Sequence, residues 1–165
     1  MTRLETPRLR LETLTSDEAA AIRAGDRRGR LWADDYPSEG DAVVAAVIGE
    51  AGEHYDESVV LGVLQVRSRL TGAAIGGIGF LSPPDDGAVE VGYGLAESAR
   101  GQGFATEALA AVVGLVRQQG LRRITARTDA DNVPSHRVLA GAGFVRTGVD
   151  GDELDWVLEL DERGD

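Results

Sequence analysis

The sequence of 165 residues contains no cysteine, no lysine and only two histidines, His54 and His136. Without cysteine, the chain has no disulfides, no thiolate metal sites and no cysteine nucleophile. With so few histidines as well, we expect no transition-metal site, and no metal cofactor enters the prediction. Without lysine, the chain cannot contain a P-loop, because that nucleotide-binding pattern ends in Gly-Lys-Ser/Thr.

Long apolar runs are also missing. No stretch approaches the roughly 20 apolar residues that span a bilayer, and the segment from Met1 to Pro7 lacks the apolar stretch of a signal peptide. We therefore expect no membrane partner and a cytoplasmic location. The formal net charge of −11 repels polyanions, which argues against nucleic acid as a partner, and it attracts cations such as protonated amines. The same acidity also serves simply to keep a protein surface soluble.

Apolar residues make up 42% of the chain and charged residues 27%, which is typical of a globular protein. The length suits one domain, which we predict over residues 1–165. Alternating or β-branched segments predict seven strands, at residues 9–14, 59–66, 73–81, 88–95, 124–128, 144–149 and 154–160. Helices are predicted from Thr15 to Gly25, from Asp41 to Glu50, from Thr106 to Gln118 and after Pro134. The fold class is therefore α/β (α+β), with a mainly antiparallel sheet of six to seven strands and about four helices.

A glycine-rich turn from Arg100 to Ala105 lies between a predicted strand and a long helix. Glycines at 101 and 103 let the backbone approach phosphate oxygens, and the helix start presents free N–H groups. Arg100 adds a cation, and Ala105 leaves room at the helix entrance. A dinucleotide fingerprint would need a third glycine where Thr106 stands. The turn alone predicts a phosphate site without naming the ligand, and it also fits a plain strand-to-helix connection.

Three segments together resemble a known family. Arg100-Gly101-Gln102-Gly103-Phe104-Ala105 resembles the Arg/Gln-x-x-Gly-x-Gly/Ala motif of the GNAT superfamily of N-acetyltransferases. Asn132-Val133-Pro134-Ser135, followed by Gly143-Phe144, is similar to the Asn-x-x-Ser…Gly-Phe signature of the branch with ribosomal-protein N-terminal acetyltransferases. Thr6-Pro7-Arg8-Leu9-Arg10-Leu11 resembles the first strand of that branch. The resemblance runs from about Thr6 to Leu160.

The resemblance implies acetyl-CoA as co-substrate, held between two splayed central parallel strands. The first of these strands would be Ala88 to Leu95, and its backbone would contact the pantetheine arm. Backbone N–H groups from Gln102 to Ala105 would meet the pyrophosphate. The residues expected at the cofactor are Tyr93, Leu95, Arg100, Gly101, Gln102, Gly103, Phe104, Ala105, Thr106, Asn132 and Ser135.

The resemblance also implies direct transfer of the acetyl group to an amine within a ternary complex. Glu90 is the expected base, although a chain of waters is the alternative. Ser135 is the expected acid for the leaving thiolate, with a role as hydrogen-bond donor or helix cap as the alternative. The backbone N–H near Leu95 is the expected partner of the oxyanion. Many family members carry a late tyrosine as the acid, whereas the last strands here contain Trp156 instead.

The acceptor pocket is expected to include Trp32, Tyr36 and Glu90, because the early helices and loops form one of its walls in this family. Ordinary packing of the two aromatic side chains is the competing interpretation. The partners expected are an amine acceptor, such as a protein N-terminus or a small molecule, and a second copy in a homodimer. A non-catalytic acyl-CoA-binding sensor is the alternative function.

Overall fold

The protein is described as a computed structural model of residues 1–160. Its nine strands are Arg3–Glu5 (β1), Leu9–Thr13 (β2), Val63–Ser68 (β3), Ala74–Gly79 (β4), Ala88–Glu90 (β5), Gly92–Leu95 (β6), Arg123–Asp129 (β7), Val145–Asp150 (β8) and Glu153–Glu159 (β9). Its four α-helices are Ser16–Ala24 (α1), Glu39–Ala51 (α2), Phe104–Gln118 (α3) and Val133–Gly141 (α4). Residues 161–165 of the predicted domain lie outside this range.

The strands form two sheets, and the chain passes from one sheet to the other at Val91, between β5 and β6. The first sheet has the order β1-β2-β3-β4-β6, and the second has the order β5-β7-β9-β8. Every pairing is antiparallel except that of β5 with β7. This arrangement confirms the predicted mixed α/β class, with four helices and mainly antiparallel strands.

The predicted strand from Ala88 to Leu95 is wrong as a continuous element. It divides at Val91, whose N–H donates to the Thr125 carbonyl at 2.9 Å. Before Val91 the chain pairs with β7, and after it Gly92 pairs with Gly79 of β4. The sequence pattern could not show this exchange of partners, because side chains alternate in the same way on both sides of the break.

Other boundaries also differ from the prediction, and together they give nine strands where seven were expected. The short β1 was missed, since its three residues are specified by pairing with β2. Residues 59–62 form a turn before β3, and Val59 is 47% exposed. The second helix begins at Glu39, two residues before the predicted start, because Ser38 and Asp41 form a reciprocal capping box.

Two apolar clusters organise the packing around the sheets. The larger one joins both sheets to α3 through buried side chains such as Leu109, Val112 and Ile124. The smaller one lies beneath α1 and α2 and includes Trp32 and Tyr36. Within residues 1–160, no helix has the length and apolar character needed to cross a membrane.

Candidate active site

The break at Val91 separates β6 from β7 and opens a space on each side of it. β6 is the edge strand of its sheet, so the backbone groups on its outer edge have no strand partner among residues 1–160. β7 continues past the break and pairs on its other side with β9. Two strands that run side by side and then diverge leave room for a thin chain between them.

The space between the diverging strands, which we call the slot, has a volume of about 220 Å³. It lies between β6, β7 and the start of α4. Its lining residues are Val91, Gly92, Tyr93, Ala126, Arg127, Thr128, Asp129, Asn132, Ser135, Leu139 and Glu153.

A second space, which we call the large cavity, has a volume of about 360 Å³. It lies between the start of α2 and strands β3 to β6. Its lining residues are Leu14, Tyr36, Gly40, Asp41, Val43, Val44, Val63, Leu64, Gln65, Gly77, Ile78, Gly79, Leu81, Glu90, Val91, Gly92, Tyr93, Gly94 and Arg127. Val91, Gly92, Tyr93 and Arg127 line both spaces, so the slot and the large cavity meet at the break in the strand.

The glycine-rich turn stands at the other end of β6. Gly101 and Gly103 have φ values of 75° and 82°, a region in which glycine alone is unstrained. α3 begins at Phe104, two residues before the predicted start at Thr106, and no side chain caps it. Its first N–H groups therefore remain available to an anion, as do those of Ala105 and Thr106 in the same turn.

The side chains of the turn are held by backbone contacts. Arg100 Nε donates to the Leu95 carbonyl at 3.1 Å, which returns the side chain to the end of β6. Gln102 Nε2 donates to the Ser98 carbonyl at 3.1 Å. These two contacts fix the side chains of Arg100 and Gln102 at the entry into the turn.

Arg8 ties the turn to the start of the chain. Its Nη1 donates to the Gln102 carbonyl at 2.8 Å, and its guanidinium lies 4.5 Å from the centre of the Phe104 ring. Its Nε pairs with Glu107 at 2.7 Å, and Thr6 donates to the same carboxylate at 2.6 Å. Burial opposes ionisation of Glu107, but hydrogen bonds from Thr6 and Arg8 outweigh it and lower the pKa of that carboxyl.

Ser135 and Tyr93 face each other across the slot. Ser135 Oγ donates to the Tyr93 hydroxyl at 3.1 Å, and burial, against this hydrogen bond, raises the pKa of Tyr93. Asn132 caps α4 by accepting from the Ser135 N–H at 3.3 Å. Ser135 lines the slot alone and Tyr93 lines both spaces, and both hydroxyls are protonated at neutral pH.

Glu90 lies on the wall of the large cavity next to the break. Its carboxylate is 3.4 Å from Arg127 Nε, and the two side chains are 54% and 59% exposed. Arg127 also approaches Asp155 at 3.7 Å. The Glu90 carboxylate is thus accessible from the cavity and is shared with a cation.

Tyr36 and Asp41 form the buried polar end of the same cavity. Tyr36 is 2% exposed, and its hydroxyl accepts from Gln65 Nε2 at 3.0 Å. Asp41 is 8% exposed and accepts from the Ser38 N–H and hydroxyl at 2.9 and 2.7 Å. Burial, opposed by the two Ser38 contacts, raises the pKa of Asp41. Burial and the charge of Asp41 raise the pKa of Tyr36 as well.

The structure does not bring Trp32 to the cavity wall. Its indole Nε1 donates to Glu18 at 2.6 Å, and its ring packs edge-on against Tyr36 with centroids 5.4 Å apart. The side chain therefore supports Tyr36 from behind, which is the packing interpretation of this residue. Of the three expected pocket residues, Tyr36 and Glu90 line the cavity.

Sequence reasoning missed four residues that shape the site: Arg8, Glu107, Asp41 and Gln65. Arg8 belongs to a recognised motif, but its contact with the turn depends on a partner 94 positions away. Asp41 carried a local signal, because Ser38 and Asp41 have capping-box spacing and mark the helix start. Nothing local to Gln65 or Glu107 indicates a role at the site.

Comparisons with known proteins agree with this geometry. A family model described as an acetyltransferase (GNAT) domain matches residues 8–145. An uncharacterised N-acetyltransferase of Bacillus subtilis (strain 168), YjdG, is 32% identical over 85 residues, which are 50% of this chain and 51% of the relative. The match thus spans about half the length of that curated relative.

Solved structures share the fold over nearly the whole chain. A ribosomal-protein-S5-alanine acetyltransferase from Vibrio fischeri has a TM-score of 0.67 and 20% identity, and the match covers 98% of each chain. Mycobacterium smegmatis RimJ in complex with CoA-disulfide has a TM-score of 0.61 and 24% identity, with 95% of this chain and 84% of that chain covered. The chain belongs to the GNAT acetyltransferase family.

Proposed function

We propose that the protein transfers an acetyl group from acetyl-CoA to a primary amine by direct attack in a ternary complex. The observation that carries the proposal is the meeting of the slot and the large cavity at the break in the strand. A donor in the slot and an acceptor in the cavity would come together beside Tyr93. A single binding pocket would serve storage or sensing of one ligand, whereas two joined pockets suit transfer between two.

The glycine-rich turn supports acetyl-CoA as the donor. Gly103 and Phe104 present N–H groups at the start of a 15-residue helix, which favours a pyrophosphate by both hydrogen bonding and dipole. The free edge of β6 lies between that region and the slot, which is lined by Ser135. Acetyl-CoA supplies an activated thioester, and the chain's own residues bind it, orient it and move protons around it.

Ser135 and Tyr93 are suited to the leaving-group side of the reaction. Their hydroxyls lie 3.1 Å apart, so Ser135 can give a proton to a departing thiolate while Tyr93 supports the exchange. The backbone N–H near Leu95 supplies a hydrogen bond to the carbonyl oxygen as it gains charge. This arrangement would do the work of the late tyrosine that the chain lacks.

Two carboxylates, Glu90 and Asp41, line the large cavity and can accept the proton of an ammonium group. Glu90 is the candidate expected from the sequence, and its access to the cavity supports it. Its contact with Arg127 Nε at 3.4 Å places a cation beside this carboxylate. Glu90→Gln tests it: if Glu90 is the base, kcat falls by about 10²-fold or more, while acetyl-CoA affinity stays within threefold.

Calorimetry with acetyl-CoA, NAD and ATP tests the donor. We expect acetyl-CoA to bind at least tenfold more tightly than either nucleotide. Preference for NAD or ATP would overturn the assignment of the turn. Tight acetyl-CoA binding without turnover of any amine would favour the acyl-CoA sensor.

We also propose that residues 1–165 form a single domain and that two copies form a homodimer. Size-exclusion chromatography with light scattering measures the oligomeric state.

A further inference from the structure

Asp41 is the one buried acidic residue within residues 1–160. Buried carboxylates oppose folding unless they are paired with a cation. No ion pair of the described residues includes Asp41. Its neighbours provide two hydrogen bonds from Ser38 and no positive charge. A carboxylate in a cavity wall with no cation beside it can attract one from outside.

The two oxygens of Asp41 have different surroundings. Both hydrogen bonds from Ser38 go to Oδ2, so this oxygen performs the capping role. Oδ1 accepts none of the hydrogen bonds found within residues 1–160 and lies over Gly77 in the cavity wall. A cap requires one oxygen, and the second one is left for a ligand.

A glycine in β4 explains how Asp41 comes so near the reacting strand. Gly77 of β4 pairs with Gly94 of β6. A Cβ on Gly77 would lie 2.7 Å from Asp41 Oδ1, and a Cβ on Gly94 would lie 3.7 Å from Ser38 Oγ. The missing side chain at Gly77 therefore lets the start of α2 rest on β4, whereas a side chain at Gly94 would make only an ordinary contact with Ser38. This places Asp41 one strand away from the free edge of β6.

We infer that Asp41 Oδ1 binds the ammonium group of the acceptor and takes its proton. The inference deepens the proposed function and rests on it. One N–H bond of the ammonium breaks, its proton goes to Oδ1, and the electron pair stays on nitrogen. That pair forms the new N–C bond as the C–S bond breaks, and the sulfur receives the proton that Ser135 releases. The nitrogen then loses its second proton, which restores the Ser135 hydroxyl, so that a neutral amide and free CoA thiol remain.

The cavity also defines the class of acceptor. Its walls are mainly aliphatic, from Leu14, Val43, Val44, Val63, Ile78 and Leu81. Arg127 pairs with Glu90 at 3.4 Å, which leaves Asp41 as the cavity-lining carboxylate without an ion pair among residues 1–160. The acceptor is therefore a primary ammonium with one positive charge beside an apolar group. A free amine or the N-terminus of a peptide can carry this chemistry.

Asp41→Asn tests the carboxylate, because asparagine keeps an oxygen for the cap while it removes the charge. Glu39→Gln is the matched control, since Glu39 is an exposed acid in the same helical turn and does not line the cavity. We expect Asp41→Asn to lower kcat/KM for 2-phenylethylamine at least 100-fold, and Glu39→Gln to stay within twofold. A loss of less than fivefold in Asp41→Asn would overturn the inference.

Acetyl-CoA affinity keeps this test separate from the proposed function. If Asp41→Asn binds acetyl-CoA as the wild type does and turns over amine at the wild-type rate, the inference fails and the acetyltransferase stands. If the wild type neither binds acetyl-CoA nor acetylates any amine, the proposed function itself fails. Retained acetyl-CoA binding also shows that the variant is folded.

A binding measurement on the unaltered protein gives a second test. With CoA bound, 2-phenylethylamine should bind at least tenfold more tightly than its neutral isostere 2-phenylethanol. Equal affinities would overturn the cation site. The two sources of ammonium are distinguished by comparing the turnover of 2-phenylethylamine with that of a tetrapeptide whose N-terminal residue is Phe with a free amino group. Spermidine carries several charges, so its kcat/KM should be at least tenfold lower than that of the better of these two acceptors. A higher kcat/KM for spermidine would overturn the proposed class of acceptor.

Discussion

Replacement of Gly103 by valine tests the glycine-rich turn most directly. Gly103 has a φ of 82°, and a Cβ there would lie 3.2 Å from Arg8 Nη2. A left-handed backbone at a residue with a side chain is destabilised by about 1–2 kcal/mol. For a chain of this length, that corresponds to a fall in Tm of about 2–8 °C. The side chain would also stand where the pyrophosphate is expected to approach.

Gly120 provides a control at the opposite end of the same helix. Its φ is 74°, and nothing lies within 4 Å of the Cβ that a substitution would add. Gly120→Val should therefore produce a similar loss of stability, because the backbone strain is the same. It should leave the affinity for acetyl-CoA unchanged, because it is remote from the turn. The pair of variants separates strain in the fold from obstruction of the ligand.

Isothermal titration with acetyl-CoA measures the difference. We expect Gly103→Val to raise Kd at least tenfold, which is about 1.4 kcal/mol, and Gly120→Val to stay within twofold. Circular dichroism establishes that both variants are folded. A folded Gly103→Val with wild-type affinity would refute the assignment of this turn to the pyrophosphate.

The remaining predictions concern Ser135, Tyr93, Arg8 and Asp41. Ser135→Ala should lower kcat about 10²-fold with acetyl-CoA Kd within threefold, and adding Tyr93→Phe should lower it no further if the hydroxyls act as a unit; additive losses in steady-state assays would contradict this. Arg8→Ala should weaken acetyl-CoA binding about tenfold through the turn, and titration showing no change would remove Arg8 from the account. Asp41→Asn should keep or raise Tm at pH 7, since the raised pKa means that ionised Asp41 opposes folding. The difference from wild type should vanish below about pH 3.8, where both states are protonated, and a large Tm loss at pH 7 in calorimetric scans would contradict it.

The sequence predicted the parts of the site that depend on local geometry. Glycines at 101 and 103 predict a turn before a helix, and Pro134 predicts the start of the next helix, although Asn132 rather than Ser135 is its cap. Both features follow from backbone rules that operate over a few residues. The glycine-rich turn follows one end of β6, and Ser135 contacts Tyr93 of the same strand.

Contacts between residues that are far apart in the chain could not be predicted from the sequence. The break at Val91 depends on which strand lies alongside, and the contact of Arg8 with Gln102 depends on the packing of α3 against β2. Asp41 was missed for a different reason. Its capping-box spacing already explains an acidic residue at this position, although the cap uses only one of its two oxygens. For Trp32 the sequence left pocket lining and packing open, and the structure buries this side chain in the smaller apolar cluster.

The most direct measurement is the release of free CoA thiol from acetyl-CoA in the presence of an amine panel. The chain has no cysteine, so a thiol-detecting reagent reports CoA without background from the protein. We predict saturable release that requires an amine and produces one acetylated amine for each thiol. Release no faster with any amine than without one, from protein that binds acetyl-CoA tightly, would contradict the account.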